Sequence, residues 1–369
     1  MSEFRTIREL CSVVVDCPHS TPKWTANGKI VIRNNNIKHG RIDFSSPSYT
    51  DDEHFAQRIK RAKPQPGDII ITREAPIGDV GMIPENTECC LGQRMVLLRA
   101  NQSVCDNFYL LYSLQSLYVQ HQISWSEGTG TTVSNLRIPH LEQIQIPYLP
   151  LEQQAKISSV LRALEEKIEN NRRLNDNLEQ QAQAIYTYMF IDNADPAWVQ
   201  GHLSDLITVK YGKDHKKLAD GSYPVYGSGG IMRYVERPLY DKESVLIPRK
   251  GTLNNVMYVN QPFWSVDTMF YTEMRFPNVA KFVYHFVKAK DLASMNAGSA
   301  VPSMTTDILN AMEVVIPSTS ALAEFESLVA PMYRAMQENN IQSSKLSELR
   351  DALLPKLMSG EIDVSDIQL

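Results

Sequence analysis

The sequence predicts a mixed α/β (α+β) chain in which two duplicated globular domains are separated by two long helices pairing as an antiparallel coiled coil. Three observations lead there. Short blocks occur twice along the chain; each copy runs into a stretch rich in helix formers; and polar residues interrupt the apolar seam of both stretches. The boundaries read as a first domain over 1–150, a first helix over 151–191, a second domain over 192–317, and a second helix with the C-terminal tail over 318–369.

The duplication has a period of roughly 170 residues, too long for a solenoid. In the first copy Asp68-Ile69-Ile70-Ile71-Thr72 is a short β run that ends in Arg73 and a turn containing Gly78. In the second, Ser244-Val245-Leu246-Ile247-Pro248 ends in Arg249 and a turn containing Gly251. Further on, the block from Gly130 to Leu136 answers the block from Gly298 to Met304, and each leads to an Ile-Pro pair, Ile146-Pro147 and Ile316-Pro317, expected to stop a strand before a helix. Strands are expected over 29–33, 68–72 and 95–99 in the first domain, and over 244–248, 257–260 and 269–274 in the second. Each domain adds one apolar helix, over 107–122 and 279–293.

Residues 151–190 contain neither Gly nor Pro and are dominated by Glu, Gln, Ala, Leu, Arg and Lys. Apolar positions step by four and three through Ile157, Leu161, Leu164 and Ile168, then Leu178, Ala182, Ile185 and Met189. Asn171 and Asn175 fill the gap in that ladder. The second helix carries Phe325, Val329, Met332 and Met336 in register, then Asn339 and Ser343. Either pairing direction would match the two polar layers; the order domain, helix, domain, helix favours antiparallel, with the domains at opposite ends. Forty residues at 1.5 Å each give a rod of roughly 60 Å, which suits a separator better than a core helix. Pro331 and Pro355 are expected to kink or interrupt the second helix.

Composition narrows the function. No apolar run approaches the roughly 18 residues needed to span a bilayer, so no membrane association is expected. The opening MSEFRTIREL is charged and mixed, which predicts no secretory leader and a cytoplasmic protein. The five cysteines, Cys11, Cys17, Cys89, Cys90 and Cys105, form no C-x-x-C pair and lie near no His cluster, so packed thiols are expected and metal is not. The net charge of −5 permits nucleic-acid binding only through local patches, such as Lys29, Arg33, Lys38 and Arg41, or Arg58, Lys60, Arg61 and Lys63.

Several residues are candidates for such contacts. Arg33-Asn34-Asn35-Asn36 follows a strand and precedes Lys38 and Arg41; Arg and Asn reach guanine and adenine edges bidentately, although an Asn-rich turn needs no ligand. Arg73 and Arg249 occupy equivalent strand ends, which suits either phosphate anchoring or a buried ion pair; Lys250 and Asn254 share the second turn. Thr131, within Gly-Thr-Gly-Thr-Thr, sits where backbone N–H groups could face a phosphate, without the Lys of a nucleotide loop. Lys210, Lys213, Lys216 and Lys217, with Tyr211 among them, are phosphate candidates on a stretch that equally suits a solvated loop. No Asp/Asn-Pro-Pro-Tyr block, Walker A motif, helicase box or activated nucleophile stands out, so no catalytic residue is expected.

The helical segments carry a resemblance. Pro150-Leu151-Glu152-Gln153-Gln154-Ala155-Lys156-Ile157, continued by Leu164-Glu165-Glu166-Lys167-Ile168-Glu169-Asn170-Asn171, and Leu353-Leu354-Pro355-Lys356-Leu357-Met358-Ser359-Gly360-Glu361-Ile362 are similar to the specificity subunits of type I restriction–modification enzymes. The order of segments resembles that family over nearly the whole chain. The resemblance implies two target-recognition domains, each reading part of a bipartite, asymmetric double-stranded DNA site. It implies as partners two modification (methyltransferase) subunits and a restriction subunit, with S-adenosylmethionine, ATP and Mg on those partners and no cofactor on this chain. Two alternatives stay open: the recognition part of another restriction–methylation assembly, and a coiled-coil adaptor that binds no DNA.

Overall fold

The run Ile69-Ile70-Ile71 is apolar at every position, so a strand made from it must be covered on both faces. In the computed structural model all three side chains are fully buried, at the heart of an antiparallel sheet. Residues 3–38, 40–125, 135–295 and 303–367 are described. They form two compact units, one of Met1–Asn170 with Ile341–Leu369, the other of Asn171–Asn340.

In the first unit the central sheet has the order Cys11–Asp16, Met95–Ala100, Ile69–Thr72, Val80–Met82. A second sheet, ordered Cys89–Leu91, Lys29–Ile32, Ser48–Thr50, Trp24–Thr25, sets Cys89–Leu91 parallel to Lys29–Ile32. Glu3–Thr6 pairs separately with Gln145–Tyr148. Pro147 therefore does not stop its strand: it lies within it, opposite Phe4, in a two-stranded ladder with edges where proline is tolerated. The single helix expected over 107–122 is two, Asn107–Gln115 and Leu117–Trp125. Ser116 turns to an extended conformation between them, and its hydroxyl accepts from the Val119 N–H as a cap on the second helix. All five cysteines are buried thiols, and burial pushes Cys11 up to about 12.

The second unit repeats this plan. Its central sheet has the order Ile207–Tyr211, Met269–Met274, Ser244–Pro248, Met257–Val259, and Val199–His202 pairs separately with Glu313–Ile316. Trp264–Ser265 lies parallel to Asp220–Gly227, which carries Gly230–Val235 on its other side. The bonds that tie the frame are the same in both copies. The Leu136 N–H donates to the Arg73 carbonyl at 3.0 Å, and Met304 to Arg249 at 2.9 Å. Ile7 donates to the Ile144 carbonyl at 3.0 Å, and Leu203 to Met312 at 2.8 Å. The blocks matched in the sequence are thus structural equivalents, although residues 126–134 and 296–302 within them lie outside the described residues.

The long helices span Leu151–Thr187, continued by a π turn at Tyr188–Asp192, and Thr319–Ser359. The second runs unbroken through Pro331 and Pro355. Pro331 is exposed, while Phe325, Val329 and Tyr333 on the buried side pack into the core of the second unit; that packing outweighs one lost backbone bond. Each unit contains an antiparallel pair of helical segments. In the first, Arg350 lies 3.6 Å from Glu165, and Lys156 donates at 2.8 Å to the carbonyl of Ser365, beyond the end of the second helix. In the second, Asn171 donates to the Asn339 carbonyl at 3.3 Å, Asn175 to Asn340 Oδ1 at 2.8 Å, and Asn339 Nδ2 to Asn175 Oδ1 at 2.9 Å. The two polar layers read from the sequence meet each other. An amide ladder of this kind fixes register, because a slip of one turn would leave buried amides facing apolar side chains.

Candidate nucleic-acid interface

In the first unit, the strand Lys29–Ile32 runs into a single 3-10 turn, Asn34–Asn36. Arg33 precedes the turn and is exposed, its guanidinium 5.2 Å from the ring centroid of a half-exposed Trp24. The turn itself is held from inside. Asn36 is buried; its Oδ1 accepts from the Arg33 N–H at 2.9 Å, and its Nδ2 donates to the Asp43 carbonyl at 3.0 Å. Asn34 donates to the Glu74 carbonyl at 2.7 Å. Of the run Arg33 to Asn36, Arg33 and Asn35 face solvent, whereas Asn36 is structural and has no edge to offer a base.

Other basic residues of this unit are spent internally. Arg73 has the buried-ion-pair role of the two its sequence allowed. Its Nη1 bonds both oxygens of Asp16 at 2.8 and 2.9 Å, its Nε donates to the Leu136 carbonyl at 2.9 Å, and its Nη2 donates to Asn135 at 3.1 Å. Arg41 reaches the first long helix, 2.9 Å from Glu169 and 3.0 Å from the Glu165 carbonyl. Arg58 is buried and donates to the carbonyls of Leu91, Ser20 and Pro18. Lys29 and Lys63 share Glu88, and the two ammonium groups pull its carboxyl down to about 2. Lys38 stays exposed with Asp43 at 2.7 Å, whose carboxyl it holds far below the usual range. Thr131 lies outside the described residues.

The second unit gathers its candidates differently. Arg249 leaves its strand with the guanidinium 5.3 Å from the Tyr211 ring centroid, and its Nη1 donates to the Asp267 carbonyl at 3.3 Å. Among the described residues no carboxylate lies within ion-pair distance of it. Lys250 follows, exposed. Asn254 ties its loop to the segment after the helix Ala280–Lys288, donating to Asp291 at 3.1 Å and accepting from the Ala293 N–H at 2.9 Å. That loop lies against the hairpin tip at Ser228: Asn255 donates to the Ser228 carbonyl at 2.7 Å. Gly251, at φ +87°, comes so close to the tip that a Cβ there would stand 2.7 Å from Ser228 Oγ. Gly229 and Gly230 of the tip face open space. Lys213, Lys216 and Lys217 are exposed along the segment after Tyr211, and Lys210 is 3.7 Å from Glu273. Trp24 was missed in the sequence; its signal was an aromatic next to Lys23 in a polar segment.

A family model for the type I restriction modification DNA specificity domain matches twice, over residues 3–180 and 197–322. The chain belongs to this family. The two matches coincide with the two copies of the sheet frame described above. Among its relatives, the type I restriction enzyme MjaIX specificity subunit of Methanocaldococcus jannaschii is 24% identical over 344 residues, covering 82% of this chain and 79% of the relative. The fold agrees with the crystal structure of the type I restriction–modification S subunit from M. genitalium, at a TM-score of 0.56 and 20% identity, over 96% of this chain and 95% of that one. Among the described residues no helix is long and apolar enough to cross a membrane, and no group of His, Cys, Asp and Glu is placed to hold a metal.

Proposed function

We propose that this chain gives a type I restriction–modification assembly its DNA sequence specificity, each of its two recognition domains reading one part of a bipartite, asymmetric duplex site. The observation that carries the reading is the duplication: the same sheet order and the same framing hydrogen bonds occur twice, while the loops at the strand ends carry different polar residues. A conserved frame with divergent loops suits two readers of different sequences. The chain would select the DNA and catalyse nothing. Two modification subunits would bring S-adenosylmethionine and the methylating site, and a restriction subunit would bring ATP- and Mg-dependent cleavage. The assembly would work in the cytoplasm.

The test is a domain exchange. Residues 1–150 are replaced by the matching segment of a relative with a different target, and methylated positions are mapped in cells that also carry the cognate modification subunit. One half of the methylated motif should change and the other should stay. A motif altered in both halves, or in neither, overturns the reading.

A further inference from the structure

The two copies share strand order and pairing register, so their residues can be compared position by position. Met95 pairs with Thr72 and Met269 with Pro248; Val96 pairs with Asp16 and Phe270 with Tyr211. The next backbone bond agrees, Cys17 donating to the Met95 carbonyl and Gly212 to that of Met269, both at 3.0 Å. Arg73 is therefore the counterpart of Arg249, and Asp16 the counterpart of Tyr211. The same arginine meets a carboxylate in one copy and an aromatic ring in the other.

That exchange changes what the arginine can do. Asp16 cancels the charge of Arg73 and takes up its Nη1, while two further bonds hold the rest of a guanidinium that is nearly buried. Tyr211 gives Arg249 a flat support without neutralising it. The ring is itself steadied edge-on by Phe270, at 5.1 Å between centroids, and stays half exposed. Among the described residues one of its five guanidinium donors is used, on the Asp267 carbonyl. Neither the carboxylate of Asp267, whose carbonyl it bonds, nor that of Asp214, three residues after Tyr211, pairs with it among the described residues. Lys250 is adjacent, Lys213 is two residues from Tyr211, and the side-chain-free tip at Gly229 and Gly230 adjoins the same loop.

We propose that Arg249, stacked on Tyr211 and flanked by Lys250, is a phosphate-contact point of the second recognition domain, and that the first domain lacks the equivalent contact because Asp16 holds Arg73 inside. The two readers then grip duplex DNA unequally, the second with an electrostatic anchor at a position where the first has a structural ion pair. This rests on the reading of the chain as a DNA specificity subunit.

The experiment measures binding of the full chain, assembled with its modification subunit, to a random-sequence DNA duplex across a series of KCl concentrations. Each phosphate contact contributes about 0.9 to the slope of log affinity against log salt, so Arg249→Ala should lower the slope by about 1 and weaken binding about fivefold at physiological salt. Tyr211→Asp installs the first domain's carboxylate and should do the same; Tyr211→Phe keeps the ring and should change neither. Arg73→Ala should leave the slope as it is. Unchanged slopes in Arg249→Ala and Tyr211→Asp, or an equal loss in Arg73→Ala, overturn the proposal while leaving DNA binding intact. A wild-type assembly with no salt-dependent affinity for duplex overturns the DNA reading as well.

Discussion

His285 is fully buried in the second unit, and its protonation is the clearest route by which pH should reach the fold. Its ring bonds Gln183 Oε1 through Nδ1 at 2.8 Å and the Tyr333 hydroxyl through Nε2 at 2.9 Å. A neutral imidazole meets both partners, with Nδ1–H donating to the amide oxygen and Nε2 accepting from the phenol. Burial pushes the imidazole down from 6.5 to about 4, against the attraction of Glu179 and with a smaller push from Lys288. Tyr284 and Lys288 of its own helix bond Glu179, and Tyr186 stacks on the ring at 5.6 Å.

The direction of the linkage follows from that depressed value. The unfolded chain takes up a proton near pH 6.5 and the folded chain only near 4, so the stabilisation is complete above about 6.5 and is lost as pH falls toward 4. The full interval is worth about 3 kcal/mol, of which about 2 kcal/mol should be lost between pH 7 and 5. Burial also works against the Glu179 carboxylate, but bonds from Lys288 and Tyr284 hold it below its ordinary 4.5, so its own acid contribution falls at lower pH. Hydrogen exchange of the Ala280–Lys288 amides, corrected for intrinsic rates, should therefore accelerate about twentyfold over that range where global opening dominates. His285→Gln should flatten the response. If wild type and His285→Gln lose protection in parallel, or if the His285 ring titrates at 6.5 by NMR, the reasoning is refuted.

Three further outcomes follow from the packing. Arg73→Ala leaves Asp16 and the Leu136 carbonyl without their main partner and should cost about 2–3 kcal/mol, read as lost exchange protection in the strand Ile69–Thr72; a cost under about 0.5 kcal/mol counts against the ion pair. Lys281→Met strands Glu243 and Glu326, which Lys281 holds at 3.0 and 2.7 Å, and should cost about 3 kcal/mol in denaturant unfolding of the second unit. Adding Glu243→Gln and Glu326→Gln should restore most of that, and a triple variant as weak as the single one would contradict it. Asn175→Ala removes the amide that bonds both Asn339 and Asn340, and should lower the unfolding free energy by about 1 kcal/mol without altering oligomeric state by light scattering; an unchanged unfolding midpoint would show that the layer carries no stability.

What was legible in the sequence was periodic or repeated. The long helices follow from residue type and spacing, and the meeting of Asn171 and Asn175 with Asn339 follows from where the two seams fail. The duplication alone makes Arg73 and Arg249 equivalents, and the Leu136 and Met304 N–H groups bond their carbonyls alike. What stayed hidden was the partner of each basic residue. Asp16 lies 57 residues before Arg73, and the carbonyls that occupy Arg58 come from segments brought together only by the sheets. Arg41 looks like a free cation until the first long helix supplies Glu169. Local charge counts therefore overstated the basic surface of the first domain, where ion pairs already neutralise most of it. The break at Ser116 escaped for a related reason: serine within an apolar helix pattern becomes a cap only when the turn before it closes.

The division of the chain into units also sets an order of assembly. The second unit is one uninterrupted stretch, whereas the first is completed by residues from 341 onward. Leu357, Met358 and Val364 are buried in the same core as Ile7, Leu110 and Ile157. During synthesis the core of the domain made first stays incomplete until Leu357, Met358 and Val364 have left the ribosome, while the domain made second is assembled from residues that precede them. A chain stopped short of residue 357 would thus lose the older half of its structure and keep the younger.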